Sequence, residues 1–318
     1  MAPHKQSELS PGEDAVPQEG VLDDVVPSTA KKTPLFQAMN AGRYQRQALI
    51  REIEQMTESH LICYVAGRFS PVDREDTVCF VDLLHNIPSG ENVDLILHTG
   101  GGDIDAAEKL ISMIRKKVVK ARLRVIVPDY AKSAGTLIAL GADSIVMSDM
   151  SELGPIDPQI VMADHNGNRV AHSVKNYIDA YKQYEAALVK NPADITAQLM
   201  LNKLDPATVQ LFESVMIRAR KFAEKQLKQG MMQTNGGNWS QAVSNLLDTS
   251  KFHTHGQPIS WEDASDPSIG LTVDYLPPED DLWEKCWQLY CLQLLAVKDN
   301  EKLFESKIAS ICIVSGAA

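Results

Sequence analysis

The sequence predicts an α/β fold in which a mostly parallel sheet is flanked by helices, with further helical cover from the C-terminal half. Two observations predict it. Short β-branched strands alternate with amphipathic helices between residues 44 and 147, and the early strands begin roughly 30 residues apart, which is the spacing of βαβ crossovers. After residue 158, the apolar residues recur at helical spacing instead. A length of 318 residues is sufficient for one large domain of this class or two ordinary ones.

The individual elements follow from the same patterns. Helical spacing of apolar residues predicts helices over 44–56, 71–84 and 104–119, and buried apolar runs predict strands over 61–66, 93–98, 122–127 and 144–147. In the C-terminal half we expect helices over 174–189, 206–229, 239–247 and 280–296, a loop over 252–258, and a turn or short helix over 259–264. Residues 1–38 are rich in Pro, Glu, Asp and Ser, which predicts a disordered tail. The domain is therefore expected to span 39–300, followed by a C-terminal tail over 301–318.

Composition and charge exclude several function classes. The net charge of −11 argues against nucleic acid as a partner, because phosphate binding needs a basic surface. No apolar run approaches the roughly 20 residues that cross a bilayer, and the N-terminus has no apolar signal core, so we expect a cytoplasmic protein without a membrane span. The five cysteines show neither CxxC pairing nor ligand spacing with histidine. Reduced thiols are expected, with no metal and no cofactor.

Two segments follow strands and precede helices, and therefore fall at the carboxyl edge of the sheet, where parallel sheets bind ligands. The first contains Gly100, Gly101 and Gly102, followed by Asp103. Three consecutive glycines suit a phosphate cradle, an oxyanion hole or simply a tight turn. The phosphate hypothesis is the weakest, because the segment matches neither GxGxxG nor GxxxxGK[ST] and an aspartate at the helix start repels phosphate.

The second segment carries Ser133 at a strand-to-helix turn among small residues. A hydrolase places its nucleophile in such a turn, where no bulky neighbour covers the hydroxyl. A serine at a helix start is also a common N-cap. The residues alone leave both roles open.

Together, the segments LILHTGGGDIDAAEKL, PDYAKSAGTLIALGADSIVM and SELGPIDPQ resemble, in this order, the Clp/crotonase superfamily of serine peptidases. The chain is most similar to the serine dehydrogenase proteinase family, relatives of signal peptide peptidase A and of the NfeD-type N-terminal peptidases. The resemblance covers about residues 43–295 and includes FHTHGQPISWEDA, which is similar to that family's THDYPIT segment. One departure is Gly100, where these families usually have proline.

The resemblance implies a Clp/crotonase-like spiral of ββα units, a trimer-based homo-oligomer, and a serine peptidase that cleaves peptides or unfolded protein. It implies that Ser133 is the nucleophile. It also implies that the backbone N–H groups of Gly101 or Gly102 and of Ala134 bind the oxyanion.

A serine nucleophile needs a base within hydrogen-bond reach. Clp-type peptidases place a histidine about 25 residues after the serine, but that window here holds Asp157. NfeD-type relatives use a lysine at the start of the next helix, and Lys175, about 42 positions after Ser133, falls there. The resemblance therefore predicts a Ser133–Lys175 dyad.

Other side chains are alternatives to Lys175 or partners of the base. His172 is the best histidine alternative, and Asp157 is expected to orient the base or to cap a turn. Lys132 adjoins the serine, and successive helix residues do not face each other. His253 and His255 are expected in a loop, in a structural or substrate-side role.

Two functions of other classes compete with the peptidase. A crotonase-type enzyme would act on an acyl-CoA thioester with the same oxyanion hole, but it needs no serine nucleophile, and no basic cluster here suits the phosphates of CoA. A catalytically silent scaffold would keep the fold for assembly alone.

Overall fold

The structure, a computed structural model, describes residues 32–163, 166–233, 237–248, 250–252 and 254–315. The chain divides into two compact units, Met1–Ala41 and Gly42–Ala318. The described part of the first unit contains the short helix α1 (Pro34–Met39), in which no residue is buried. Most of the predicted tail over 1–38 lies outside the described residues.

The elements that follow alternate as the βαβ spacing predicts. The helices are α2 (Ala41–Thr57), α3 (Asp76–His85), α4 (Ile104–Val118), α5 (Ala134–Ala139), α6 (Val174–Lys190), α7 (Ile195–Leu201), α8 (Pro206–Gln229), α9 (Trp239–Leu246), α10 (Trp261–Ser265) and α11 (Asp281–Leu294). The strands are β1 (His60–Ala66), β2 (Val93–His98), β3 (Leu123–Ile126), β4 (Tyr130–Ala131), β5 (Ser144–Met147), β6 (Glu152–Leu153), β7 (Gln159–Ala163), β8 (Arg169–Ser173), β9 (Val273–Tyr275), β10 (Glu301–Ser306) and β11 (Ser310–Val314).

The central sheet has seven strands in the order β11-β10-β1-β2-β3-β5-β9. Strands β1, β2, β3, β5 and β9 run parallel, whereas β10 is antiparallel to β1 and β11 is antiparallel to β10. The α/β fold with a mostly parallel sheet is thus confirmed. Outside this sheet, β4 pairs with β6 and β7 pairs with β8.

Helices cover both faces of the central part of the sheet, so strands β1, β2 and β5 are almost wholly buried, whereas the edge strands β9 and β11 are partly exposed. Strand β1 shows the alternation, since Leu61, Cys63 and Val65 pack with α2 and α11, while Ile62 and Tyr64 pack with α3 and α4 in the main core. The second half of α8 and helix α9 also join the main core, which accounts for the predicted C-terminal helical cover. No helix within the described ranges combines the length and apolar character needed to cross a bilayer.

The C-terminal segment requires a correction to the sequence analysis. We expected residues 301–318 to form a tail, but β10 and β11 complete one side of the central sheet. The segment lacks a clear apolar run because β10 buries charged residues. Lys302 and Glu305 are both fully buried, and each is paired with an opposite charge from another element. Hydropathy patterns do not detect strands of this kind, because they treat a charge as a sign of exposure.

Candidate active site

The turn that carries Ser133 is strained. Ser133 has φ 52° and ψ −114°, one of three positive φ values among the non-glycine residues described. Such a conformation costs about 1–3 kcal/mol and persists only where the surrounding structure enforces it. The Ser133 side chain makes no capping hydrogen bond to helix α5. Ser133 thus occupies the N-cap position of α5 without making the capping bond, so its hydroxyl is not used to hold the helix start.

The glycine loop lies directly against this turn. A methyl group on Gly101 would come within 2.8 Å of the Ser133 Cβ and of the Lys132 carbonyl oxygen. Gly101 and Gly102 have φ values of 103° and 154°, which favour glycine. Thr99 joins the two segments, since its carbonyl accepts a hydrogen bond from the Lys132 N–H at 3.0 Å.

Two backbone donors beside Ser133 are available to a ligand. Within the part of the chain that the structure describes, the N–H groups of Gly102 and Ala134 have no hydrogen-bond acceptor. The N–H of Gly101, by contrast, donates to the Thr99 hydroxyl at 3.1 Å. Of the three predicted oxyanion donors, Gly102 and Ala134 are thus the ones free to bind an oxygen.

Ser133 opens onto a cleft of about 880 Å³. The glycine loop and the start of α4 form one side, and residues of β7, β8, α8 and three loops form the rest. The lining residues include Gly100, Gly101, Gly102, Asp103, Asp105, Ser133, Pro158, Gln159, Ala171, Ser214, Arg218 and His255. Arg218 pairs with Asp105 at 2.8 Å, which balances part of the charge in the cleft.

A histidine and a buried carboxylate meet at this cleft. The Nδ1 atom of His255 lies 2.7 Å from the Asp157 Oδ1 atom. Asp157 is 2% exposed, and its other oxygen accepts a hydrogen bond from the Gln159 amide at 2.7 Å. A carboxylate accepts hydrogen bonds, so Nδ1 is the donor of this pair, and in the neutral imidazole the Nε2 atom then keeps a lone pair that can accept a proton. An imidazole oriented in this way has the tautomer that a general base requires.

Lys175 and His172 lie elsewhere. Lys175 is in the first turn of α6, where its ammonium group is paired with Asp179 at 2.5 Å, and its side chain does not line the cleft. His172 is an exposed residue of β8 and does not line it either. The Ser133–Lys175 dyad stays a prediction that this arrangement does not favour.

The remaining sequence-based candidates are also accounted for. Lys132 donates to the Leu153 carbonyl at 2.9 Å and pairs with Glu152 at 2.6 Å, so its ammonium group is bound away from the serine. His253 lies outside the described residues. No group of three or more potential metal ligands forms among the residues that can be described.

The sequence analysis underestimated His255. Asp157 and His255 are 98 positions apart, and no local spacing relates them. The available signal was the FHTHGQPISWEDA segment, which carried part of the family resemblance although it lies far from the serine in sequence.

Comparison with known proteins identifies the family to which the chain is similar. The model of the ClpP-like SDH-type serine proteinases matches residues 33–292. Two proteins of Methanocaldococcus jannaschii, both described as uncharacterized, are similar in sequence. MJ0137 is 32% identical over 245 residues, which cover 74% of this chain and 75% of that protein. MJ1495 is 33% identical over 126 residues, which cover 36% and 42% respectively.

Two solved structures are similar at lower identity. A mutant of the 1510-N membrane-bound stomatin-specific protease is 16% identical with a TM-score of 0.42, and the match covers 71% of this chain and 85% of that one. A mutant of ClpP1 from Listeria monocytogenes is 13% identical with a TM-score of 0.35, and the match covers 72% and 98%.

Proposed function

Because the chain belongs to the family of ClpP-like SDH-type serine proteinases, we propose that it hydrolyses peptide bonds with Ser133 as nucleophile, His255 as general base and Asp157 as the residue that orients the base. One observation carries this assignment. Ser133, in its strained turn, lines the same cleft as His255, whose Nδ1 is held by the buried Asp157 carboxylate at 2.7 Å.

The chemistry proceeds in two halves. The Ser133 oxygen attacks the scissile carbonyl carbon while the Nε2 atom of His255 takes the hydroxyl proton. The carbonyl oxygen gains negative charge and is stabilised by the N–H groups of Gly102 and Ala134, which have no other acceptor among the described residues. When the C–N bond breaks, Nε2 returns the proton to the leaving amine. Water then attacks the acyl carbon of the acyl-enzyme and gives a proton to Nε2. The bond between the acyl carbon and the Ser133 oxygen breaks, Nε2 returns its proton to that oxygen, and the acid leaves.

The substrate in this proposal is a peptide or an unfolded segment of protein. The cleft is open and about 880 Å³ in volume, which suits an extended chain. A trimer-based homo-oligomer and a cytoplasmic location, both expected from the sequence, belong to the same proposal.

The experiment compares four variants with the wild-type enzyme in casein hydrolysis and in labelling by a fluorophosphonate probe. Ser133→Ala should abolish both, whereas Ser214→Ala should retain both, because the Ser214 hydroxyl also lines the cleft but donates to the Gln210 carbonyl at 2.9 Å. His255→Ala should lower the rate by about 10³-fold or more, since it removes the base. Lys175→Met should remain active.

Two outcomes would contradict the proposal. A wild-type protein that neither hydrolyses casein nor reacts with the probe would leave the silent scaffold or the acyl-CoA enzyme as the better hypothesis. An active His255→Ala variant beside an inactive Lys175→Met variant would replace the histidine by the Ser133–Lys175 dyad.

A further inference from the structure

The glycine loop is held in place by a neighbouring segment, the loop over residues 67–73 between β1 and α3. Val72 is the point of contact. Its N–H donates to the Gly101 carbonyl at 2.8 Å, and its carbonyl accepts from the Asp103 N–H at 2.9 Å. A methyl group on Gly102 would come within 2.3 Å of the Val72 carbonyl oxygen. Because Val72 pairs with the residues on either side of Gly102, its position sets the direction in which the Gly102 N–H points.

The other side of the 67–73 loop rests on the C-terminal part of the chain. The Gly67 N–H donates to the Glu301 carbonyl at 2.8 Å, and the Phe69 N–H donates to the Asp299 carbonyl at 2.7 Å. These are the residues at the start of β10 and just before it. The loop therefore connects β10 with the oxyanion donor.

A buried charge cluster fixes the end of this loop that contacts the glycines. The Lys302 ammonium group donates to Asp73 at 2.7 Å and to Asp76 at 2.8 Å. Asp76 also accepts from the Tyr64 hydroxyl and from the Asp73 N–H, both at 3.0 Å. Lys302 and Asp76 are fully buried. Burial of charges at this depth adds little stability compared with an apolar replacement, but it fixes the geometry of the groups that satisfy them.

We propose that Lys302 is a positioning residue for the oxyanion hole: through Asp73 and Val72 it holds the Gly102 N–H in the direction that the reaction requires. The inference rests on the proposed function. Lys302 lies on β10, beyond residues 33–292 that the family model matches. This chain thus completes its oxyanion hole with a residue from outside the matched region.

The expected kinetic effect follows from the role. Lys302→Met keeps the length of the side chain but removes the charge that holds Asp73, so Val72 and the glycine loop gain freedom to move. A displacement of about 1 Å in a reacting group can cost about 10²-fold in rate. An oxyanion donor acts mainly on the transition state, so kcat should fall about 10- to 100-fold while KM changes by less than about threefold.

Strand β10 offers a matched control. Glu305 is also fully buried and pairs with Arg46 of α2 at 2.8 Å, on the side of the sheet away from the glycine loop. Arg46→Met therefore breaks a buried ion pair on the same strand without touching the 67–73 loop. It should lower the unfolding temperature as Lys302→Met does, yet leave the kcat of the folded enzyme within about twofold of wild type.

The experiment measures casein hydrolysis and native-state hydrogen exchange on both variants. In Lys302→Met, the amides of Val72 and Asp103 should exchange at least about tenfold faster than in wild type, because these are the two hydrogen bonds that hold the glycine loop. In Arg46→Met they should exchange at the wild-type rate. If Lys302→Met does not fold, Asp73→Asn keeps the Lys302–Asp76 pair and should show the same changes at smaller size.

The outcomes separate this inference from the proposed function. A folded Lys302→Met variant with wild-type kcat, or with wild-type exchange at Val72 and Asp103, would overturn the positioning role. An equal loss of kcat in Arg46→Met would overturn it too, since the effect would then be one of stability alone. A wild-type protein without peptidase activity would refute the proposed function, while the exchange comparison would still report whether Lys302 holds the loop.

Discussion

Replacement of Asp157 by asparagine tests the proposed base through the tautomer of His255. The Asp157 Oδ1 atom lies 2.7 Å from the His255 Nδ1 atom and accepts a hydrogen bond from it. An asparagine at this position keeps the size of the side chain, but its amide can turn an NH₂ group towards Nδ1. The imidazole would then carry its proton on Nε2, which could no longer accept the Ser133 proton.

The size of the effect follows from the burial of the pair. Asp157 is 2% exposed, and its second oxygen already accepts a hydrogen bond from Gln159. Water therefore has little access to this position and cannot replace the lost acceptor of the His255 Nδ1 proton. In a serine protease with this constellation the same exchange lowers kcat by about 10⁴-fold. We expect a loss of about 10³- to 10⁴-fold, equivalent to roughly 4–5.5 kcal/mol of transition-state stabilisation at about 1.36 kcal/mol per tenfold.

The assay is steady-state hydrolysis of casein or of a fluorogenic peptide, with unfolding temperatures measured on the same preparations. Asp179→Asn is the matched control, because it neutralises the carboxylate paired with Lys175 instead. It should leave kcat unchanged if His255 is the base. An Asp157→Asn variant within about threefold of wild-type kcat, or an Asp179→Asn variant that changes kcat strongly, would refute the histidine mechanism.

Three further predictions concern the loop, the pH dependence of stability and assembly. Gly101→Ala should lower kcat at least about tenfold, because its methyl group would lie 2.8 Å from the Ser133 Cβ; kinetics and thermal unfolding check it. Burial lowers the pKa of His98 to about 4, so the unfolded state binds a proton that the folded state does not between about pH 6.5 and pH 4. As the pH falls from about 6.5 to about 4, the free energy of unfolding should therefore decrease by about 3 kcal/mol more in wild type than in His98→Leu. Urea titrations at both pH values measure this difference, and the variant keeps the hydrogen bond between Tyr290 and Asp129. Light scattering at micromolar concentration should give a multiple of 35.1 kDa, and the monomer mass would contradict the homo-oligomer.

The elements that the sequence predicts well are those with strong local signals. Strand β2 and helix α8 coincide with their predicted ranges. Helix α8 starts after Asp205, whose side chain accepts from the Thr208 N–H, has Pro206 at its first position, and ends before Gly230. Each of these signals acts within a few residues of the helix end, so it can be recognised without tertiary context.

The elements that the sequence does not predict depend on distant partners. Strand β10 is stabilised by Asp76 and Arg46, which lie more than 200 positions before it. Strands β4 and β6 have two residues each and pair with each other just before the Ser133 turn, about 20 positions apart along the chain. Local periodicity contains no information about such pairings.

The candidate site likewise contains parts that the sequence predicts and parts that depend on distant residues. Ser133 and the glycine loop could be predicted because each follows a strand of a parallel sheet, and that topology alone places them at one edge. The free donors among the glycines could not be assigned in advance. That assignment depends on Thr99, whose hydroxyl accepts a hydrogen bond from the Gly101 N–H, and on Val72, whose N–H donates to the Gly101 carbonyl.

The position of Asp157 shows why spacing from the serine is a poor guide to the base. The fold brings the segment that follows Ser133 to the cleft whatever residues it contains. About 25 positions after the serine, where Clp-type enzymes have a histidine, this chain has Asp157. The chemistry requires a carboxylate and an imidazole in line with the hydroxyl, and unrelated hydrolases use these groups in different orders along the chain. In the proposed mechanism Asp157 supplies the carboxylate from that position and the imidazole comes from another segment, His255 being the histidine that lines the cleft among the residues described. Lys175 is partly exposed, is paired with Asp179 and does not line the cleft, so this fold does not present its side chain to Ser133.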